Sequence, residues 1–188
     1  MNKLINLCRE KIINPVLHST APVSEVSLGV AVGVFLGLTP TVGAQMYLVA
    51  IVWSIYRYIF RRHFNLPVGV AMVWISNPLT MVPLYYLFLL TGYLLLETKN
   101  VLSYELFTET LTRISEPTGT WEMVIAGAHF LLIDLGWSII IGSLVYAVPG
   151  FIISYFMTAK IVASHRKSKA RLAGMSYEDW RTQNETQH

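Results

Sequence analysis

Two long stretches of the chain carry no charged residue: Val26 to Tyr56 and Phe64 to Leu96. A membrane-spanning helix needs about 20 apolar residues. Each run is therefore too long for one straight span and too short for two spans and a turn. Helix breakers account for the mismatch. Gly37-Leu38-Thr39-Pro40-Thr41-Val42-Gly43 interrupts the first run, and Ser76-Asn77-Pro78-Leu79-Thr80-Met81-Val82-Pro83 the second. Proline removes a helix donor and disfavours helix in the residue before it. Each run reads as a half-helix, a polar turn and a longer helix. Gly29-Val30-Ala31 recurs as Gly69-Val70-Ala71, and Thr39-Pro40 and Asn77-Pro78 follow at nearly matching offsets. This suggests a weak internal repeat.

The flanks differ. Residues 1–18 alternate Leu4, Ile5, Leu7, Cys8, Ile12 and Ile13 with Lys3, Arg9, Glu10 and Lys11. They predict an amphipathic helix, ended or kinked at Asn14-Pro15, that lies on a membrane surface or on the protein's own body. Residues 97–122 form an acidic connection with a short helix predicted over Leu102–Ile114. Met123–Ala159 is a third apolar region, read as one broken helix or as a half-helix plus a span, with Pro149-Gly150 a kink site. A basic stretch at 166–171 follows, and then Ser176 and Asp179 at the spacing of a helix N-terminal cap. The domain reading is an N-terminal helix (1–18), a membrane domain (19–160) and a basic cytoplasmic tail (161–188).

Composition sharpens the class. Of 188 residues, 54% are hydrophobic and 13% charged, against about 25% charged in soluble domains. Mean hydropathy is +0.50. A soluble enzyme and a disordered chain are both disfavoured. The net charge of +3 comes from bases flanking apolar runs, which points to anionic lipid rather than nucleic acid. Cys8 is the only cysteine, so there is no intrachain disulfide and no cysteine metal site. Arg57, Arg61, Arg62 and the C-terminal bases place the N-terminus, the 57–65 loop and the C-terminus in the cytoplasm. The expected fold is an all-α integral membrane protein with two broken or re-entrant helical hairpins and a C-terminal transmembrane helix.

The motif order is informative: Gly33-Val34-Phe35-Leu36-Gly37-Leu38-Thr39-Pro40-Thr41-Val42-Gly43-Ala44-Gln45, then Asn65, then Asn77-Pro78-Leu79-Thr80-Met81-Val82-Pro83-Leu84-Tyr85, then Gly92. It resembles the DUF2062 family of bacterial membrane proteins, over about residues 19 to 160. The resemblance implies an inner-membrane protein of Gram-negative type. Relatives in which this domain is fused to glycosyltransferase-like domains suggest, by analogy, work near lipid-linked sugars or polyprenyl carriers.

The polar turns are the candidate chemistry. Non-helical backbone at membrane depth survives only when buried in protein or lining a wet cavity. Thr39, Thr41, Gly43, Gln45, Asn77, Pro78 and Thr80 are the candidate substrate-binding residues. The helices that follow the turns direct N-termini there, a geometry that attracts anions. The alternative is that these residues only satisfy the unwound backbone, with Gly29, Gly33 and Gly37 as helix-packing positions. Asp134 is a candidate coupling residue, and Arg57 a snorkelling anchor or a lipid head-group contact. No G-x-S-x-G, H-E-x-x-H, Walker or G-x-G-x-x-G motif occurs, so neither enzyme chemistry nor a metal or cofactor is expected. The expected function is transport or flipping of an anionic amphiphile such as a lipid phosphate. A non-transporting accessory or scaffold protein of the envelope is the alternative. Expected partners are membrane lipids, with anionic head groups at the basic flanks, and further copies of the chain, since one copy offers little wall for a path.

Overall fold

The computed structural model describes residues 14–41, 44–76, 78–97, 103–115 and 137–185, with the single positions 125 and 129. Every regular element among them is helical. In chain order these are α1 (Asn14–Leu17), α2 (Val23–Gly37), α3 (Gln45–Phe60), α4 (Leu66–Met72, continued by a 3-10 turn Val73–Ile75), α5 (Pro78–Leu95), α6 (Tyr104–Ser115), α7 (Trp137–Leu172) and α8 (Tyr177–Asn184). The expected breaks fall where the prolines and glycines put them. The first run divides between Gly37 and Gln45, and the second between Ile75 and Pro78. Pro78 opens α5, where a missing N–H costs nothing because the first-turn donors have no intrahelical partner.

Residues 1–13 of the expected amphipathic N-terminal helix lie outside the described residues, and Asn14–Leu17 form the short α1. From Trp137 the third region is one continuous helix that runs through Pro149 and on into the basic stretch. Arg166 is also not a surface base: it is 1% exposed.

By length and hydropathy α7 is the one described helix able to cross a membrane by itself. Leu66–Ile75 and Thr80–Leu95 meet the same test only as a broken pair, and α2 is a shorter apolar helix.

The chain divides into two compact units. The first holds the residues up to Val34, then Val49–Met72 and Phe151 onward. Its core includes Val26, Val30 and Ala31 of α2, Val49 of α3, Phe64, Val68 of α4 and Val162 of α7. The two Gly-Val-Ala sequences meet here. A β-carbon on Gly29 would lie 2.5 Å from the Asn65 carbonyl oxygen, and one on Gly69 would lie 3.3 Å from the Gly29 carbonyl oxygen. A β-carbon on Gly33 would run into the Gly69 carbonyl and reach 2.7 Å from Met72 Cβ. The glycines let two helix backbones approach more closely than any side chain allows.

Polar side chains secure the irregular segments of this unit. Asn65 caps α4, its Oδ1 accepting from Val68 N–H at 3.1 Å. Its Nδ2 donates to Ser19 Oγ at 2.7 Å, and its backbone N–H donates to the Glu25 carbonyl at 3.0 Å. Trp53 Nε1 donates to the Phe64 carbonyl at 2.9 Å. Arg166 donates to the carbonyls of Ser19 and Ala21, both at 2.8 Å, and pairs with Glu185. The C-terminal helix α8 thereby stays against the segment that leads into α2. Ser176 caps α8 by accepting from Asp179 N–H at 3.1 Å, as its spacing predicts.

The second unit holds Phe35–Leu48 and Val73–Gly150. Its core is Tyr85, Phe88, Leu89, Phe107 and Ile139. Here α5 and α7 cross by the same device. A β-carbon on Gly92 would strike the Ser138 carbonyl, and one on Gly142 the Phe88 carbonyl. Thr91 and Tyr146 share a 2.9 Å hydrogen bond between the same helices.

Gly33→Ala should destabilise the protein by about 1–3 kcal/mol, the usual range for overpacking a close contact. A fall in the thermal unfolding midpoint of detergent-purified protein checks it. An unchanged midpoint would mean that α2 and α4 do not approach this closely.

Candidate functional site

The polar turns of the second unit are built from the chain outward. Past Gly37 the helix α2 loosens into a turn in which Leu38 and Thr39 N–H groups reach the carbonyls of Phe35 and Leu36, both at 3.2 Å. Thr39 Oγ1 donates to the same Leu36 carbonyl at 2.8 Å and lies 3.3 Å from Thr41 Oγ1. Thr41 N–H donates to the Thr39 carbonyl at 2.8 Å, and Ala44 N–H to the Thr41 carbonyl at 3.2 Å. The threonines thus absorb part of the backbone that Pro40 leaves without helical partners.

Gln45, the first residue of α3, joins this turn to the next one. Its side-chain amide is buried. Nε2 donates to Ser76 Oγ at 2.9 Å and to Tyr85 OH at 3.2 Å, and Oε1 accepts from Ser76 Oγ at 3.0 Å. Tyr85 OH donates onward to the Thr39 carbonyl at 3.3 Å. Both amide hydrogens of Gln45 are therefore used within the protein, as is the Tyr85 hydroxyl hydrogen. Thr80, exposed on the first turn of α5, donates to the Ile75 carbonyl at 2.8 Å. The described network carries no formal charge and holds neither a nucleophile with a base nor a metal-ligand cluster.

Of the candidate residues, Thr39, Thr41 and Gln45 come together. Thr80 belongs to the second turn, on its exposed side. Pro78 is placed as the first residue of α5. Gly43, Asn77 and Asp134 lie outside the described residues. Arg57 is exposed in the last turn of α3, its guanidinium 5.2 Å from the centre of the Trp53 ring, a cation–π contact.

Residues 6–171 match the family described as "Uncharacterized protein conserved in bacteria (DUF2062)". The chain belongs to the DUF2062 family. No curated protein and no solved structure matches it. The DUF2062 pattern also points to the network members that residue chemistry alone passes over. Tyr85 closes the Asn77-Pro78-Leu79-Thr80-Met81-Val82-Pro83-Leu84-Tyr85 motif, and Ser76 directly precedes it. Tyr85 reads as one aromatic among many until its hydroxyl is seen between Gln45 and Thr39. Asn65, the isolated asparagine of the pattern, is likewise the residue that caps α4.

Gln45→Ala should cost about 1–3 kcal/mol, because it leaves buried hydroxyls short of partners. Ser54→Ala, at an exposed hydroxyl bonded only to its own helix, should stay within about 0.5 kcal/mol of wild type. Thermal unfolding of the two variants side by side distinguishes a joined network from independent turns.

Proposed function

We propose that this DUF2062 chain is a multi-pass protein of the bacterial inner membrane that transports or flips an anionic amphiphile such as a lipid phosphate. The carrying observation is the apolar surface that α7 leaves uncovered. Leu144, Val148, Ile153, Phe156 and Met157 are exposed, although Ile139, Ala147 and Val162 of the same helix are buried. In its most apolar 18-residue window only 22% of the residues are buried. A helix in the core of a water-soluble protein would bury its apolar side chains, and a large uncovered apolar surface in water would drive association. Lipid is the medium that suits this arrangement.

In this reading the broken runs are two re-entrant or broken hairpins, and the Gln45 network is the polar centre they enclose. The N-terminus, the 57–65 loop and the C-terminus face the cytoplasm, following the positive charges at 57–62 and 166–171. The helix starts at Gln45 and Pro78 favour negative charge near the turns. Several copies together supply the walls of the path.

A second reading is favoured by one observation: Gln45, Ser76 and Tyr85 spend their hydrogen bonds on one another. Such turns suit a non-transporting accessory protein that scaffolds envelope enzymes.

Reconstitution distinguishes the two. Vesicles are prepared with fluorescent phosphatidic acid or fluorescent phosphatidylcholine, and the outer leaflet is bleached with dithionite. Transport predicts that protein-containing vesicles lose the protected phosphatidic acid signal faster than protein-free vesicles, with a smaller effect on phosphatidylcholine. Equal protection with and without inserted protein would contradict transport and favour the scaffold.

A further inference from the structure

The first unit contains a cleft of about 720 Å³, within the size range of small-molecule sites. Its lining combines two chemistries. Arg61, Arg62 and His63, on the loop that follows α3, line it together with Glu25. Leu28, Tyr56, Phe151 and Phe156 add apolar surface. Glu25 is engaged with His63 at 3.4 Å. Among the described residues no carboxylate pairs with Arg61 or Arg62, and both are exposed. The lining therefore carries an excess of positive charge together with apolar surface.

The loop that presents the arginines is held in place. Arg61 has φ +50°, a left-handed conformation that costs a side-chain-bearing residue about 1–2 kcal/mol. The Trp53 bond to the Phe64 carbonyl and the Asn65 bond to the Glu25 carbonyl hold the backbone just after it. Backbone strain sustained by surrounding bonds is a recurrent feature of binding sites.

We propose that this cleft binds a lipid with a terminal phosphomonoester, the head group held by Arg61 and Arg62 and the acyl chain lying against Leu28, Tyr56, Phe151 and Phe156. The charges match, since a phosphomonoester near neutral pH carries between one and two negative charges and two guanidiniums can grip its oxygens in bidentate fashion. The apolar lining continues into the exposed apolar surface of α7, at Ile152 and Phe156. Inorganic phosphate would use the arginines and leave the apolar lining uncovered. The inference deepens the anionic-amphiphile reading by moving head-group capture from the polar turns to this cleft, and it rests on that reading only for the placement of α7 in lipid.

The test is binding of dioctanoyl phosphatidic acid, dioctanoyl phosphatidylcholine and inorganic phosphate to the full chain in dodecyl maltoside. Wild type should prefer phosphatidic acid to both. Arg61→Gln with Arg62→Gln should weaken phosphatidic acid binding at least tenfold, leave phosphatidylcholine unchanged and keep the thermal midpoint, since both side chains are exposed. Arg61→Lys with Arg62→Lys should restore part of the affinity. Undiminished binding in the glutamine variant would overturn the site, as would inorganic phosphate binding as tightly as phosphatidic acid. The flipping assay is read separately. Flipping with arginine-independent binding removes the cleft and keeps transport, whereas arginine-dependent binding without flipping removes transport and keeps the cleft.

Discussion

Backbone that leaves a helix among apolar segments must find its hydrogen-bond partners inside the protein. That requirement organises this chain. Three polar side chains with several bonds each hold such segments. Gln45 joins the turn after α2 to Ser76 and Tyr85. Asn65 caps α4 and reaches Ser19. Arg166 takes the carbonyls of Ser19 and Ala21 just before α2 begins. All three are long or forked side chains able to serve more than one partner. Removing any of them strands several groups together, so these positions carry more of the fold than their small number implies.

Glycine supplies the complementary half of the arrangement. The helices approach where a carbonyl oxygen occupies the space a β-carbon would need, at Gly29 and Gly33 in one unit and at Gly92 and Gly142 in the other. Packing of this kind depends on close backbone contact and suits helices whose outer faces are themselves apolar, where lipid and protein interior differ little in polarity.

Features governed by local chemistry were legible in the sequence. Pro40 and Pro78 mark the breaks, Tyr104–Ser115 forms near the predicted Leu102–Ile114 helix, and Ser176 caps α8. Features set by tertiary neighbours were not. Tyr85 meets Gln45 across forty residues, and no periodicity announces it. Arg166 begins a basic run that looks solvated, yet the carbonyls of Ser19 and Ala21 and the Glu185 carboxylate draw it inside. The glycines of the two Gly-Val-Ala sequences meet at a helix crossing, a contact that local pattern does not announce. Of the candidate site, Thr39, Thr41 and Gln45 were read from polarity against an apolar background, whereas the basic cleft assembles from segments distant in sequence and has no local signature.

The account depends on lipid, rather than water or protein, covering the exposed apolar side chains of α7. Spin labels at Ile153→Cys and Met157→Cys, in a Cys8→Ser background in vesicles, test this most directly, with Glu178→Cys on the polar α8 as the reference. Relaxation by oxygen should exceed relaxation by a water-soluble nickel chelate at the two α7 positions, with the reverse at Glu178→Cys. Nickel access at Ile153→Cys and Met157→Cys equal to that at Glu178→Cys would place this face in water and contradict the account.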